Sequence, residues 1–310
     1  LSANGSWENF PVTTSISSDS NENTILGTTN ASGGNSNDNV VIGYQAGHGL
    51  SAGHENILVG YQSGYNISGG DRNTVLGYKA LYDNNVDNVI AIGYKCGEGL
   101  SGNYNILIGD NVCESSNQSG SMNVSIGSSN LRYGSGWQYN TLVGGNNFGV
   151  SNSAADYCVA LGYGALYSST TGNQNTASGY YALNDVTTGY ENSAVGSRTL
   201  EYLTTGSRNT AIGYKAGSYS TNLTTGSYNI LIGYQPQPSS STVSGEVTIG
   251  DYNITKFRVP GINFTLKDNN GTPSAGKVLT ADSNGEGYWA DGGVASDSQY
   301  NTVGGTTGFS

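Results

Sequence analysis

The sequence predicts an all-β protein, a parallel β-solenoid whose coils are about 17 residues long. A phrase such as Asn-Thr-Ala-Ile-Gly at residues 209–213 recurs fourteen times between residues 23 and 250. Its three central residues are mostly β-branched or small and the phrase is short, which favours a strand over a helix. A fixed period of this length is typical of solenoids and related arrays.

Each phrase ends in a glycine, and positions within a coil are counted from it. Position −4 is the Asn, and position +1 is the residue after the glycine. The intervals between successive closing glycines are 16 to 20 residues. The closing glycines are Gly27, Gly43, Gly60, Gly77, Gly93, Gly109, Gly127, Gly144, Gly162, Gly179, Gly196, Gly213, Gly233 and Gly250.

Composition and charge argue against several classes of protein. Gly makes up 48 of the 310 residues and charged residues only 11 %, yet the regular aliphatic phrases argue against a disordered chain. The formal net charge is −11 with 11 basic residues, and nucleic acid would repel such a chain. No run of 18 apolar residues occurs. We therefore expect neither a nucleic-acid partner nor insertion into a membrane.

Residues 1–22 match no repeat and contain Trp7 and Phe10 before a polar Ser/Asp run. We expect this segment to cap the first coil or to join a preceding domain. The array of fourteen coils follows at residues 23–250.

Positions −3, −2 and −1 of the phrase are β-branched or apolar in most copies. Side chains alternate along a strand, so positions −3 and −1 share one face and position −2 lies on the other. A strand that is apolar on both faces is buried on both. A coil of about 17 residues has room for two short strands and two turns, and its interior covers one face only. We therefore expect copies of the chain to cover the other face around an axis, most simply as a homotrimer.

Two further positions predict ladders along the stack. Position −4 is Asn in eleven of the fourteen copies, with Val89, Cys158 and Glu246 as exceptions. Stacked Asn side chains can hydrogen-bond from coil to coil. Position +1 is Tyr in eight copies, which predicts an aromatic ladder that tightens the stack or contacts a ligand. The closing glycine suits a corner where φ is positive or backbones approach closely.

The remainder of each coil is less regular, often Ala-Gly or Ala-Leu followed by a turn such as Leu-Thr-Thr-Gly at residues 203–206. The three longest intervals include residues 111–117, 146–153 and 218–223. Since loops that vary in length often carry recognition, we expect these bulges to be places for recognition loops.

The phrase Asn-Thr-Ala-Ile-Gly-Tyr-Lys-Ala-Gly at residues 209–217 resembles the head repeats of YadA-like trimeric autotransporter adhesins. It is similar, at least as closely, to the repeat regions of bacteriophage tail fibres. The resemblance covers about three-quarters of the chain and implies a homotrimeric parallel β-roll with short two-strand coils, left-handed in the adhesin heads. The Asn here lies one position closer to the Gly than in the adhesin consensus, and the period is a few residues longer. The detailed coil geometry of that family is therefore not carried over.

The repeat ends at residue 250, and residues 251–292 are expected to form a small β cap or trimerisation segment. Residues 257–259 and 262–266 predict strands about Pro260, and residues 277–280 and 287–290 predict a hairpin. The segment at residues 276–290 is similar to one common in tail fibres of marine and cyanobacterial phages, which favours phage over bacterial origin. Residues 293–310 are polar and glycine-rich, as in a linker or the start of a further domain.

No catalytic, cofactor-binding or metal site is predicted. His48 and His54 lie six residues apart in a glycine-rich loop, which is not a standard ligand spacing. A glycosidase needs two carboxylates facing one cleft, and the spacing selects no such pair. The candidates are Asp71, Glu98, Glu114, Asp156, Glu191 and Glu201.

The three cysteines predict buried thiols more simply than a disulfide. Cys96 and Cys113 lie one repeat apart, and a spacing of one rung is within the range that a disulfide tolerates. They occupy different positions relative to their closing glycines, however, so their side chains need not face each other. Cys158 has no such partner.

The expected function is structural and adhesive: the shaft of a homotrimeric phage tail fibre, in the virion and extracellular. It would bind other tail or baseplate proteins and position, or contribute to, recognition of a host-surface polysaccharide or protein receptor. Which residues would bind the receptor is not predicted. One alternative is a bacterial trimeric adhesin head or cell-surface fibre. Another is a tailspike depolymerase, although we expect no enzymatic activity.

Overall fold

A computed structural model describes residues 23–26, 36–115, 118–148 and 155–255, with the backbone of Ser17–Ser18, Lys277–Ala281 and Gly287–Asp291. The chain divides into two compact units, residues 1–254 and 255–310. All the strands and turns described below belong to an all-β fold, as predicted.

The strands of the first unit form one sheet of fifteen strands in sequence order. The strand β1 pairs antiparallel with β2, and from β2 onward each strand pairs parallel with the next. Successive parallel strands one coil apart define a parallel β-solenoid, which confirms the predicted fold. The strands are β1 (Ser17–Ser18), β2 (Thr24–Leu26), β3 (Val40–Ile42), β4 (Ile57–Val59), β5 (Thr74–Leu76), β6 (Ile90–Ile92), β7 (Ile106–Ile108), β8 (Val124–Ser128), β9 (Thr141–Gly145), β10 (Val159–Tyr163), β11 (Thr176–Ser178), β12 (Ser193–Val195), β13 (Thr210–Ile212), β14 (Ile230–Ile232) and β15 (Val247–Ile249).

Equal positions of neighbouring coils stack on each other. Ile212 pairs with Val195 on one side and with Ile232 on the other, although the two intervals differ in length by three residues. The additional residues are accommodated outside the strand, so the phrase stays in register along the whole array.

The core lies inside the coils, and position −2 of each strand points into it. Twelve of these residues have no exposed surface: Val41, Leu58, Val75, Ala91, Leu107, Ser125, Leu142, Ala160, Ala177, Ala194, Ala211 and Leu231. Side chains from the remainder of each coil pack against them, the largest being Trp137 and Phe148. The interior of a coil therefore buries one face of its strand.

The second strand that we expected in each coil is not formed in the described coils, where the strand is followed by turns and by isolated bridges such as Leu100–Gln118. The reason lies in the backbone, because residues such as Lys79 (φ 52°) and Leu81 (φ 48°) have left-handed conformations that an extended strand excludes. The coils still bond to each other here. The N–H of Lys79 donates to the Tyr61 carbonyl at 2.9 Å, and the N–H of Leu81 donates to the Cys96 carbonyl at 2.9 Å.

The predicted Asn ladder is present and buried. The N–H and Nδ2 of Asn56 both donate to Asn39 Oδ1, at 2.9 and 3.0 Å, and Nδ2 also donates to the Gly70 carbonyl at 2.8 Å. Asn56 Oδ1 in turn accepts the N–H and Nδ2 of Asn73, at 2.9 and 3.0 Å. Every polar group of such an amide is satisfied, so the ladder stabilises the stack without the cost of burying unpaired polar atoms.

The ladder is interrupted where the sequence lacks Asn. Val89 still donates its N–H to Asn73 Oδ1 at 2.9 Å but offers no acceptor to the next coil. At the other break, Cys158 Sγ donates to the Gly172 carbonyl at 3.4 Å, which replaces one bond of the missing amide. The array thus contains separate Asn ladders.

The second unit contains one described hairpin, β16 (Lys277–Ala281) and β17 (Gly287–Asp291), which pair antiparallel with Leu279 opposite Trp289. These are the two strands that the sequence predicted at residues 277–280 and 287–290. The strands predicted at residues 257–259 and 262–266 lie outside the described residues, as do most of residues 1–22 and all of residues 293–310.

Candidate interaction surfaces

The sheet presents an uncharged row of side chains to the outside, which we call the aliphatic strip: positions −3 and −1 of β2 to β15. Position −1 is aliphatic in every coil except at Ser178, and position −3 is Thr, Val, Ile or Ser. Not one of these residues is buried in the single chain. Leu76 is 46 % exposed, Ile212 43 % and Ile249 55 %. An exposed uncharged row that is aliphatic at position −1 in all coils but one marks a candidate interaction surface.

Tyrosines at position +1 stack from coil to coil, as predicted. The longest run joins Tyr44, Tyr61, Tyr78 and Tyr94 with ring centroids 5.2 to 5.4 Å apart. Tyr163 stacks on Tyr180 at 6.0 Å and Tyr214 on Tyr234 at 5.5 Å. These rings remain about half exposed, so one face of the solenoid carries a series of accessible aromatic surfaces.

A second stack contains one of the two histidines. His48 packs flat on Tyr65, with ring centroids 4.7 Å apart, and Tyr65 packs on Tyr82 at 5.0 Å. Among the described residues no group of three or more His, Cys, Asp or Glu side chains is placed to hold a metal ion.

Stacking brings together two of the candidate carboxylates, Glu98 and Glu114. Lys95 Nζ lies 3.2 Å from Glu98 Oε2 and 3.9 Å from Glu114 Oε1, and Arg132 Nε lies 3.8 Å from Glu114 Oε2. The hydrogen bond and charge of Glu98 raise the pKa of Lys95. These groups line an open cleft of about 580 Å³. Since each carboxylate faces a cation, the cleft is a charge-paired surface.

The other four carboxylates also have partners. Glu191 pairs with Arg208 at 2.7 Å and Glu201 with Arg198 at 3.1 Å. Asp71 Oδ1 accepts the N–H of His54 at 2.8 Å, and Asp156 Oδ1 accepts the N–H of Gln138 at 2.6 Å. Three of these contacts connect neighbouring coils, whereas the Glu201–Arg198 pair lies within one coil.

All three cysteines are free and buried. Burial raises the pKa of the Cys96 thiol to about 12 and that of Cys158 to about 11, and it also raises the pKa of Cys113. A neutral thiol is unreactive. The simpler prediction, buried thiols without a disulfide, is confirmed.

Sequence reasoning missed a second cleft, of about 320 Å³, which we call the tyrosine cleft. It is lined by Asn146, Tyr163, Gly164, Tyr167, Tyr181 and Asn184. The signal was a local exception: position +2 holds a long side chain such as Gln, Lys or Arg in many coils but glycine at Gly164. A Cβ at this glycine would overlap the ring of Tyr181 from the next coil, so the exception makes room for that ring.

Comparison of the chain with protein-family models, with curated proteins and with solved structures finds no match. In the part of the chain that the structure describes, no helix is long and apolar enough to cross a membrane.

Proposed function

We propose that this chain is the shaft of a homotrimeric fibre in which three aliphatic strips meet along a common axis. The observation that carries the proposal is the strip itself. It contains no charged residue over fourteen coils, and all its side chains are at least partly exposed in the single chain. Burying them against identical strips removes apolar area from water, which is favourable by roughly 25 cal/mol per Å².

The fibre is most simply a phage tail fibre. The support is the resemblance of its repeats and of residues 276–290 to phage tail-fibre sequences. In that role the stacked coils hold a receptor-binding part at a distance from the virion, other tail or baseplate proteins anchor the fibre, and the exposed tyrosines around Tyr163 and Tyr180 contribute to contact with the host surface. The role is mechanical and adhesive and involves no catalysis.

Sedimentation of an Ile212→Asp variant tests the proposal. The wild-type protein is expected to sediment at three times the chain mass of 32.1 kDa. The variant is expected to lose most of the trimer, because it would bury a carboxylate in a dry interface. Ser197→Asp is the matched control: it adds the same charge at position +1, where Asp110 occurs naturally, and is expected to leave the trimer intact.

Two results would contradict the proposal: a monomeric wild-type protein, or an Ile212→Asp variant that sediments as the wild type does. Circular dichroism of each variant separates loss of assembly from loss of folding. Mass spectrometry of purified virions then tests the phage assignment, because a bacterial adhesin or cell-surface fibre would instead be found in envelope fractions.

A further inference from the structure

We propose that the tyrosine cleft is a binding site for a neutral saccharide. This inference deepens the proposed function and rests on it for the biological role of the sugar. The site itself rests on the geometry of six residues from three successive coils.

The cleft has the size and openness of a shallow sugar site. Its volume of about 320 Å³ is at the lower end of the range for small-molecule sites, which suits one or two sugar rings. Tyr163 is 46 % and Tyr167 36 % exposed, so their rings are accessible to the C–H face of a pyranose. Aromatic side chains that pair an apolar ring with a polar tip are well suited to such amphipathic ligands.

The polar groups of the cleft are fixed in place by the protein. Asn146 Nδ2 donates to the Tyr163 hydroxyl at 2.7 Å, and Asn184 Nδ2 donates to the Gly164 carbonyl at 2.9 Å. Each bond orients its amide. Within the described part of the chain nothing donates to the oxygen of either amide, so both remain as acceptors for hydroxyl groups. Acceptors held in place favour a ligand rich in hydroxyls.

The conformation of Tyr181 distinguishes this cleft from the rest of the tyrosine ladder. Tyr163 and Tyr180 stack nearly parallel, whereas the Tyr181 ring is tilted by 46° to Tyr163 with centroids 5.8 Å apart. Tyr181 follows Tyr180 in the chain and packs over Gly164, where a Cβ would overlap it. The glycine therefore opens the cleft and allows Tyr181 to form one wall of it.

Charge decides the class of sugar. The lining consists of Asn, Tyr and Gly and carries no ionised group. The Arg198 guanidinium lies 5.8 Å from the Tyr181 ring centroid and is paired with Glu201. Among the described residues that line this cleft or contact its wall, an acidic sugar would find no unpaired cation. The charged cleft at Lys95 is a poorer candidate, because its charges already neutralise each other.

The test is saturation-transfer NMR of the full chain with a panel of neutral hexoses, N-acetylhexosamines and their disaccharides, alongside a hexuronic acid and a sialic acid. At least one neutral sugar is expected to bind saturably and the acidic sugars at least tenfold more weakly. Gly164→Lys places in the cleft a residue that the same position holds at Lys79, Lys95 and Lys215. This variant and Tyr181→Ala are each expected to weaken binding at least tenfold. Tyr61→Ala, which removes a ladder tyrosine outside the cleft, is the matched control and is expected to bind as the wild type does.

Absence of binding by every neutral sugar, or binding unchanged in Gly164→Lys, would overturn the inference. So would equal losses in Tyr61→Ala and Tyr181→Ala. Sedimentation of the same samples separates the two proposals: a trimer that binds no sugar rejects the site and keeps the fibre, whereas a monomer that binds sugar through this cleft does the reverse.

Discussion

The two parts of each coil obey different rules. The strand part, from position −4 to the closing glycine, keeps its length and most of its residue types over fourteen copies, while the turn part absorbs the variation from 16 to 20 residues. In the strand part every position stacks on its equivalent above and below, with Ala211 paired to Ala194 and Leu231. In the turn part a local difference, such as glycine at residue 164, is accommodated by one neighbouring side chain. Strict repetition therefore follows from direct stacking, and the turn part tolerates local differences in sequence and length.

Among the substitutions that test this difference between the two parts of the coil, replacing a closing glycine should lower the unfolding free energy most. Gly213 has φ 125°, and a Cβ there would overlap the carbonyl of Gly233 in the next coil. We expect Gly213→Ala to cost more than about 4 kcal/mol of unfolding free energy or to prevent folding, because backbone on both sides is fixed. Denaturant unfolding followed by circular dichroism measures it.

The matched control is a glycine of the turn part. Gly245 has φ 75° with nothing within 4 Å of a built Cβ, and the same position is Tyr228 with φ 63° one coil earlier. Gly245→Ala is expected to cost only about 1 kcal/mol, the usual strain of a left-handed residue. Equal losses at the two glycines would show that stacking does not distinguish the two parts of the coil.

Removing an amide from the Asn ladder comes next. Asn192 Oδ1 accepts the N–H and Nδ2 of Asn209, each at 3.0 Å, and Asn192 Nδ2 donates to the Gly206 carbonyl at 2.9 Å. Asn192→Ala leaves these buried groups unpaired and is expected to cost about 3 kcal/mol.

Val89→Asn should do the opposite and stabilise the protein by about 1 kcal/mol, because it joins two ladders. A destabilised Val89→Asn variant would mean that packing at this position outweighs the hydrogen bonds.

Cys158 provides a pH-dependent test of burial in the strand part. Burial raises the pKa of its thiol from 9.0 to about 11, so the folded chain holds this proton more tightly than the unfolded chain does. The stabilisation is complete below pH 9.0 and is lost as the pH rises to about 11. The Cys158→Val variant carries at this position the residue that Val89 provides in another coil. Relative to this variant, the wild-type protein should lose roughly 2 kcal/mol of unfolding free energy over this pH window. Denaturant unfolding at a series of pH values measures the difference, and a difference that does not change with pH would contradict the burial of the thiol.

The smallest effect is expected in the turn part, at Lys79. Its Nζ lies 4.8 Å from the Tyr82 ring centroid and 5.9 Å from that of Tyr78. Exposed cation–π contacts contribute about 0.5 to 1 kcal/mol, so Lys79→Ala should change the unfolding free energy by no more than that. A loss comparable to that of Asn192→Ala would show that the surface stacks contribute as much as the buried ladder.

Much of this architecture could be predicted from the sequence, because a solenoid turns a sequence period directly into a spatial one. The recurrence of Asn predicted a ladder, and the recurrence of Tyr predicted stacked rings, since equal positions of neighbouring coils must meet. The hairpin at Lys277–Ala281 and Gly287–Asp291 was predicted because its strands and turn signal are close in the sequence. The tyrosine cleft was not, because it depends on one glycine and one tyrosine in different coils.

The sequence by itself determined the period, the strand phrase and the stacking of like residues on like. Only the tertiary structure decided that position −2 points into the coil and that positions −3 and −1 remain outside, because both faces of the strand are apolar and the pattern alone favours neither. It also decided that the turn part forms no second strand, through left-handed residues such as Lys79 and Leu81. The physical reason is that periodicity fixes which residues are neighbours along the stack, whereas the path of the chain around each coil depends on backbone conformations that side-chain patterns do not encode.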